Sequence, residues 1–137
     1  MSLLLIKIQE LLARSSTGRV YISEEIIEQF GEDCKTAFRK QFTEQRSKDF
    51  SIRMSSIGKP LCQLKMEKNK TSSESPPYNF KMRFLFGDLI EAAAIGIIKA
   101  AGIKIQSEQK KVHNEIAGTK IQGTYDVEIN DKIYDIK

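Results

Sequence analysis

GTYDVEINDKIYDIK, residues 123–137, reads as a β-hairpin whose two strands flank Asn130-Asp131, a dipeptide suited to a two-residue turn. Successive strand residues point to opposite faces, so a turn there pairs Ile129 with Lys132 and brings Asp126 opposite Asp135. One face then carries Thr124, Asp126, Glu128, Ile133, Asp135 and Lys137. The other carries Tyr125, Val127, Ile129, Lys132, Tyr134 and Ile136, and is the core face. Opposed residues on one face have Cβ atoms roughly 5 Å apart, and like charges there are destabilising unless neutralised. Asp126 and Asp135 therefore call for a cation, with Lys137 projecting toward the same place. Oxygen-only ligands suit a hard ion, Mg²⁺ or Mn²⁺, rather than zinc. The alternative is an exposed polar hairpin face carrying a surface ion pair.

Upstream, FLFGDLIEAAAIGIIKAA, residues 84–101, has helical periodicity, with Gly102 as its stop. The pattern predicts a buried stripe of Phe86, Leu89, Ile90, Ala93, Ile97 and Ala101, and a wet side of Asp88, Ala92 and Lys99. Glu91 falls on the flank of the stripe near Gly87, Ile95 and Ile98, where a carboxylate needs a partner or must reach solvent.

Gly87 and Glu91 on a helix, Gly123 and Asp126 in GTYD on a strand, and Asp135 and Lys137 in YDIK on the next resemble, in this order, the motifs of the PD-(D/E)xK nuclease superfamily, in its RecB-like and phage exonuclease branch. The resemblance covers residues 84–137. It implies a restriction-endonuclease-like core with a central mixed sheet and catalytic hairpin, and a metal-dependent deoxyribonuclease, exonuclease favoured, acting in phage-type replication, recombination or host-DNA degradation. It also implies that Glu91, Asp126 and Asp135 bind Mg²⁺ or Mn²⁺ with the Ile136 carbonyl as a further ligand, and that Lys137 is the catalytic lysine. Family members continue with further strands and a helix, so the resemblance predicts a chain extending beyond Lys137. The competing class is a non-catalytic DNA-binding protein derived from a nuclease.

Composition agrees with one small α+β (α/β) chain of 137 residues, 40% of them hydrophobic. Its predicted organisation is a helical, basic region over 1–80 and the nuclease core over 81–137. MSLLLIKIQELLA at the start is broken by Lys7 and Glu10 and is too short to span a membrane, so it reads as a docking helix. Two isolated cysteines, Cys34 and Cys62, fit buried thiols in a reducing compartment. The implied setting is the cytoplasm of a bacterial or phage-infected cell.

The net charge is +4, yet nine basic residues stand against three acidic ones between Arg39 and Lys70. Such an excess suits contact with phosphates, and DNA is the partner it predicts, with Arg46, Arg53, Lys59 and Lys65 as candidate contacts. A solvated helix face is the plainer alternative. The rest of the pattern predicts a helix from Ser23 to about Arg46 burying Ile26, Phe30, Cys34, Ala37, Phe38 and Phe42. A further helix begins near Pro60, a connector spans 69–79, and strands cover 103–105 and 110–116. The lone His113 carries no assigned role.

Overall fold

A computed structural model describes residues 3–18, 20–44, 52–69, 77–116 and 118–136. The architecture is α+β: four helices and a four-stranded mixed sheet. Helix α1 spans Leu3–Thr17, α2 Glu24–Phe42, α3 Leu61–Asn69 and α4 Tyr78–Ala100; strand β1 spans Ile52–Arg53, β2 Ser107–Ile116, β3 Thr119–Ile129 and β4 Lys132–Tyr134.

The local chemistry sets these limits. Ser23 occupies the N-cap of α2 in extended conformation, without a side-chain cap bond, and Glu24 and Glu25 in the first turn with Arg39 and Lys40 in the last complement the helix dipole. Helix α4 stops at Gly102, whose φ of 69° lets its N–H reach the Lys99 carbonyl while the Ile103 N–H reaches that of Ile98. This is a Schellman closure, and glycine suits its left-handed position. Residues 103–105, expected as a strand, lie outside the sheet, and Ile103 and Ile105 pack on the core instead.

Strand β3 is the hub. Strand β2 runs antiparallel along one of its edges, from Ile116 opposite Thr119 to Ser107 opposite Glu128. Residues Ile121 and Gln122 pair with β2 and with β1, and Val127 and Glu128 pair with β2 and with β4, so β1 (parallel) and β4 (antiparallel) share the other edge. The β3–β4 register is the one read from the sequence, with Ile129 opposite Lys132. Asn130 and Asp131 have φ of 51° and 59°, as a type I′ turn requires. Gln106 holds this turn at two points, its amide donating to Asp131 Oδ1 (3.0 Å) and its carbonyl oxygen accepting from the Asp131 N–H (2.8 Å).

Val127 and Ile129 meet Ile95 and Ile98 of α4 in the buried core, and Leu4, Ile8, Tyr134 and Ile136 pack against it. Leu4 and Ile8, one turn apart, dock α1. The stripe expected for α4 is corrected. Leu85, Ala92, Ile95 and Ile98 are buried, whereas Phe86 (55%) and Ile90 (62%) are exposed. The reason is that α4 serves two partners. Asp88, expected in water, accepts from Lys40 Nζ (3.0 Å) and Gln41 Nε2 (2.6 Å) of α2, and Gly96 lies against Phe30. On α2, Ala37 and Gln41 are buried and Ile26 and Cys34 half-buried, while Phe38 and Phe42 are exposed and stack on each other. Cys62 is exposed rather than buried, and both cysteines are free. Among the described residues no helix is long and apolar enough to cross a membrane.

Candidate functional site

The turn, α4 and the middle of β2 together position the carboxylates. The type I′ turn returns the chain beside β3, the ladder ends at Tyr134, and the Ile136 N–H donates to Asp126 Oδ2 (2.6 Å). The Ile136 peptide is thus fixed at the Asp126 carboxylate. Asp135, one position beyond β4, is exposed. Lys137 lies outside the described residues, as does Arg46.

Glu91 comes to this region from α4, where Ile95 and Ile98, one and two turns on, anchor the helix to the sheet. It is half-buried and accepts a hydrogen bond from Gln109 Nε2 (2.8 Å). Burial pushes the Glu91 carboxyl above the usual carboxylate range, the Gln109 bond opposes that, and the charges of Asp126 and Asp88 add to it. Glu91 and Asp126 are therefore electrostatic neighbours. Among the described residues no group of three or more His, Cys, Asp and Glu side chains is gathered so as to hold a metal ion.

Gln109 is the residue that sequence reasoning missed. The flanking pairs Glu108–Val127 and Lys110–Tyr125 put it opposite Asp126, yet that pair is skipped in the ladder and Gln109 has φ of 45°. A left-handed glutamine inside a strand is strained, and strain of this kind concentrates at functional positions. Beside the kink strict alternation fails. The Tyr125 hydroxyl, three residues from Glu128, donates to Glu128 Oε2 (2.7 Å), which also accepts from Ser107 Oγ (2.7 Å). Residues three apart on a regular strand would face opposite sides. The hydrogen bonds from Tyr125 and then Ser107 pull the Glu128 carboxyl below its usual range.

Gly123 has a steric role, because a Cβ there would meet Met54 Sδ at 2.7 Å. Met54, in the 3₁₀ turn Met54–Ser56, thereby lies over β3 three residues before Asp126. Two clefts flank this region. One, about 210 Å³, is lined by Glu91, Gln109, Asp88, Lys40 and Glu108 among others. The other, about 1160 Å³, lies between α3 and the β2–β3 hairpin tip and includes Lys65 and His113. Of the expected phosphate contacts, Lys65 is therefore away from Glu91, Arg53 is exposed on β1, and Lys59 is paired with Glu67 (3.0 Å).

No protein-family model, no curated protein and no solved structure matches this chain.

Proposed function

We propose that this chain is a metal-dependent deoxyribonuclease of the PD-(D/E)xK type, with exonuclease action favoured, working in phage-type replication, recombination or host-DNA degradation in a bacterial or phage-infected cell. The observation that carries the reading is the Ile136–Asp126 hydrogen bond, which seats the second motif strand against the first. Glu91, half-buried and repelled by Asp126, adds a second carboxylate to the same neighbourhood.

An all-oxygen donor set with mutual repulsion fits Mg²⁺ or Mn²⁺. Glu91 and Asp126 would hold the ion; Asp135, which is not gathered with both of them among the described residues, and the Ile136 carbonyl would be further ligands by the motif they belong to. When bound, such an ion polarises a phosphodiester and lowers the pKa of water. The chain's own part is positional: Gln109 orients Glu91, the Ile136 N–H orients Asp126, and Lys137, by the motif it completes, would position or deprotonate the attacking water.

A second reading, DNA binding without hydrolysis, is favoured by the separation of the lysine-lined cleft from Glu91. The deciding experiment is degradation of linear double-stranded DNA with Mg²⁺, Mn²⁺ or chelator, alongside Asp126→Ala and Lys137→Ala. Metal-dependent cleavage lost in both variants supports the enzyme. DNA binding that needs no metal and ignores Asp126→Ala, with no cleavage by the unaltered protein, supports the second reading and removes the first.

A further inference from the structure

The cleft between α3 and the tip of the β2–β3 hairpin gathers more positive charge than its surroundings neutralise. Lys65 and Lys68 face it from α3, and Lys120 and His113 from the hairpin. None of these three lysines forms an ion pair among the described residues. The acid of α3, Glu67, is engaged by Lys59, which leaves Glu115 as the one carboxylate lining the cleft. Concave walls carrying one sign of charge focus the field and collect counter-ions. The cleft's volume of about 1160 Å³ exceeds what a single phosphate or small metabolite fills. No Phe or Tyr lines it, so the attraction is electrostatic and not base stacking.

We infer that this cleft is a polynucleotide-binding site, in which Lys65, Lys68 and Lys120 contact consecutive backbone phosphates, and His113 and Asn114 offer further polar contacts. Phosphate suits the charged groups because three lysines from two elements are spread around an open groove against one carboxylate, above a floor of Ile52, Leu61, Leu64 and Ile121 that the sugar and base edges of a strand can cover. The site stands at one end of β3 and Asp126 near the other. Six steps along the strand take the chain from Lys120 to Asp126, about 20 Å at roughly 3.3 Å per residue. At about 3.4 Å per base pair, a duplex of about six base pairs is the shortest that reaches both. The link to Asp126 rests on the nuclease reading, whereas the binding site itself does not.

The test is fluorescence anisotropy in EDTA, with labelled duplexes of different lengths titrated at several salt concentrations. Lys65→Ala/Lys68→Ala/Lys120→Ala should weaken binding at least about tenfold near 0.1 M salt and flatten the logarithmic salt slope by about 3. The triple arginine variant should restore both, and Lys35→Ala on distant α2 should change neither. Circular dichroism checks folding. Should the alanine triple unfold, the arginine triple and Lys120→Glu decide, since strong binding by Lys120→Glu overturns the site. Unchanged affinity and slope in a folded alanine triple overturn it as well, as does displacement of the duplex by polyglutamate at matched charge. Binding in EDTA lost in the triple, while the unaltered protein cleaves nothing in a parallel assay with Mg²⁺ or Mn²⁺, sustains the cleft and sinks the nuclease reading; metal-dependent cleavage that survives in the triple, with full affinity in EDTA, does the reverse.

Discussion

Replacing Gln109 separates its backbone from its side chain. At φ of 45° an L-residue pays roughly 1–2 kcal/mol that glycine does not. In an ordinary strand, glycine is worse than alanine by about 0.5–1 kcal/mol because it loses more chain entropy. The two terms oppose each other here, and the left-handed term is larger. Gln109→Gly should therefore be more stable than Gln109→Ala by about 0.5–1 kcal/mol, inverting the usual order. Both lose the 2.8 Å bond to Glu91, which on this exposed residue is worth about 1 kcal/mol, so both should fall below the parent or, for glycine, close to it. For 137 residues, the unfolding entropy of about 2.1 cal/mol/K per residue converts 1 kcal/mol into about 3 °C of Tm. Urea unfolding followed by far-UV circular dichroism, with equal m-values, reads the order directly. Alanine equal to or more stable than glycine refutes the left-handed kink, and alanine as stable as the parent refutes the clamp on Glu91.

Val127, 1% exposed, should cost about 2–3 kcal/mol as alanine, two methyl groups plus the void they leave; a Tm loss under about 3 °C would mean that the core is not centred there. Asp88→Ala leaves the buried Gln41 amide without its 2.6 Å acceptor and should cost about 1–3 kcal/mol, part of which Gln41→Leu recovers; additive losses in that double variant would disprove the clamp between α2 and α4. Glu91 has its folded-state pKa raised above the ordinary 4.5, so between those values the folded protein holds a proton that the unfolded chain has released. Stability contributed at low pH is lost as pH rises through that window, and Glu91→Gln, measured against the parent in EDTA, should gain relative stability over the same window and keep it above. A difference independent of pH would show that Glu91 is not destabilised in its charged form.

The hairpin was legible because its signals agree: a dipeptide that tolerates positive φ, and Val127 and Ile129 in alternation before it. The face of α4 was not. Hydropathy points to a single apolar stripe, whereas the helix packs on α2 through Ala92 and Asp88 and on the sheet through Ile95 and Ile98, and a small or charged residue at a helix–helix contact carries no hydropathy signal. Strand β1 is two residues long, too short for any periodicity. Glu91 drew attention by its place beside apolar neighbours. Gln109 did not, since glutamine has no preference for left-handed backbone and its role appears only when β3 lies opposite. The hairpin's Lys120 and His113 became relevant once α3 stood across from them, an adjacency invisible in a count of charges along the chain.

The sharing of β3's second edge has a consequence for the order of assembly. Strands β2 and β4 reach β3 through adjacent loops, while β1 must return from more than half the chain away to pair at Ile121 and Gln122. Closing that long loop is entropically slower than closing either hairpin. The run from α4 through β4, which carries Glu91, Gln109 and Asp126, can thus condense as one contiguous unit, with β1 joining last and opening first. In native-state hydrogen exchange the amides at the junction of β1 and β3 would then exchange by a lower-energy opening than those that β2 and β3 share near Val127.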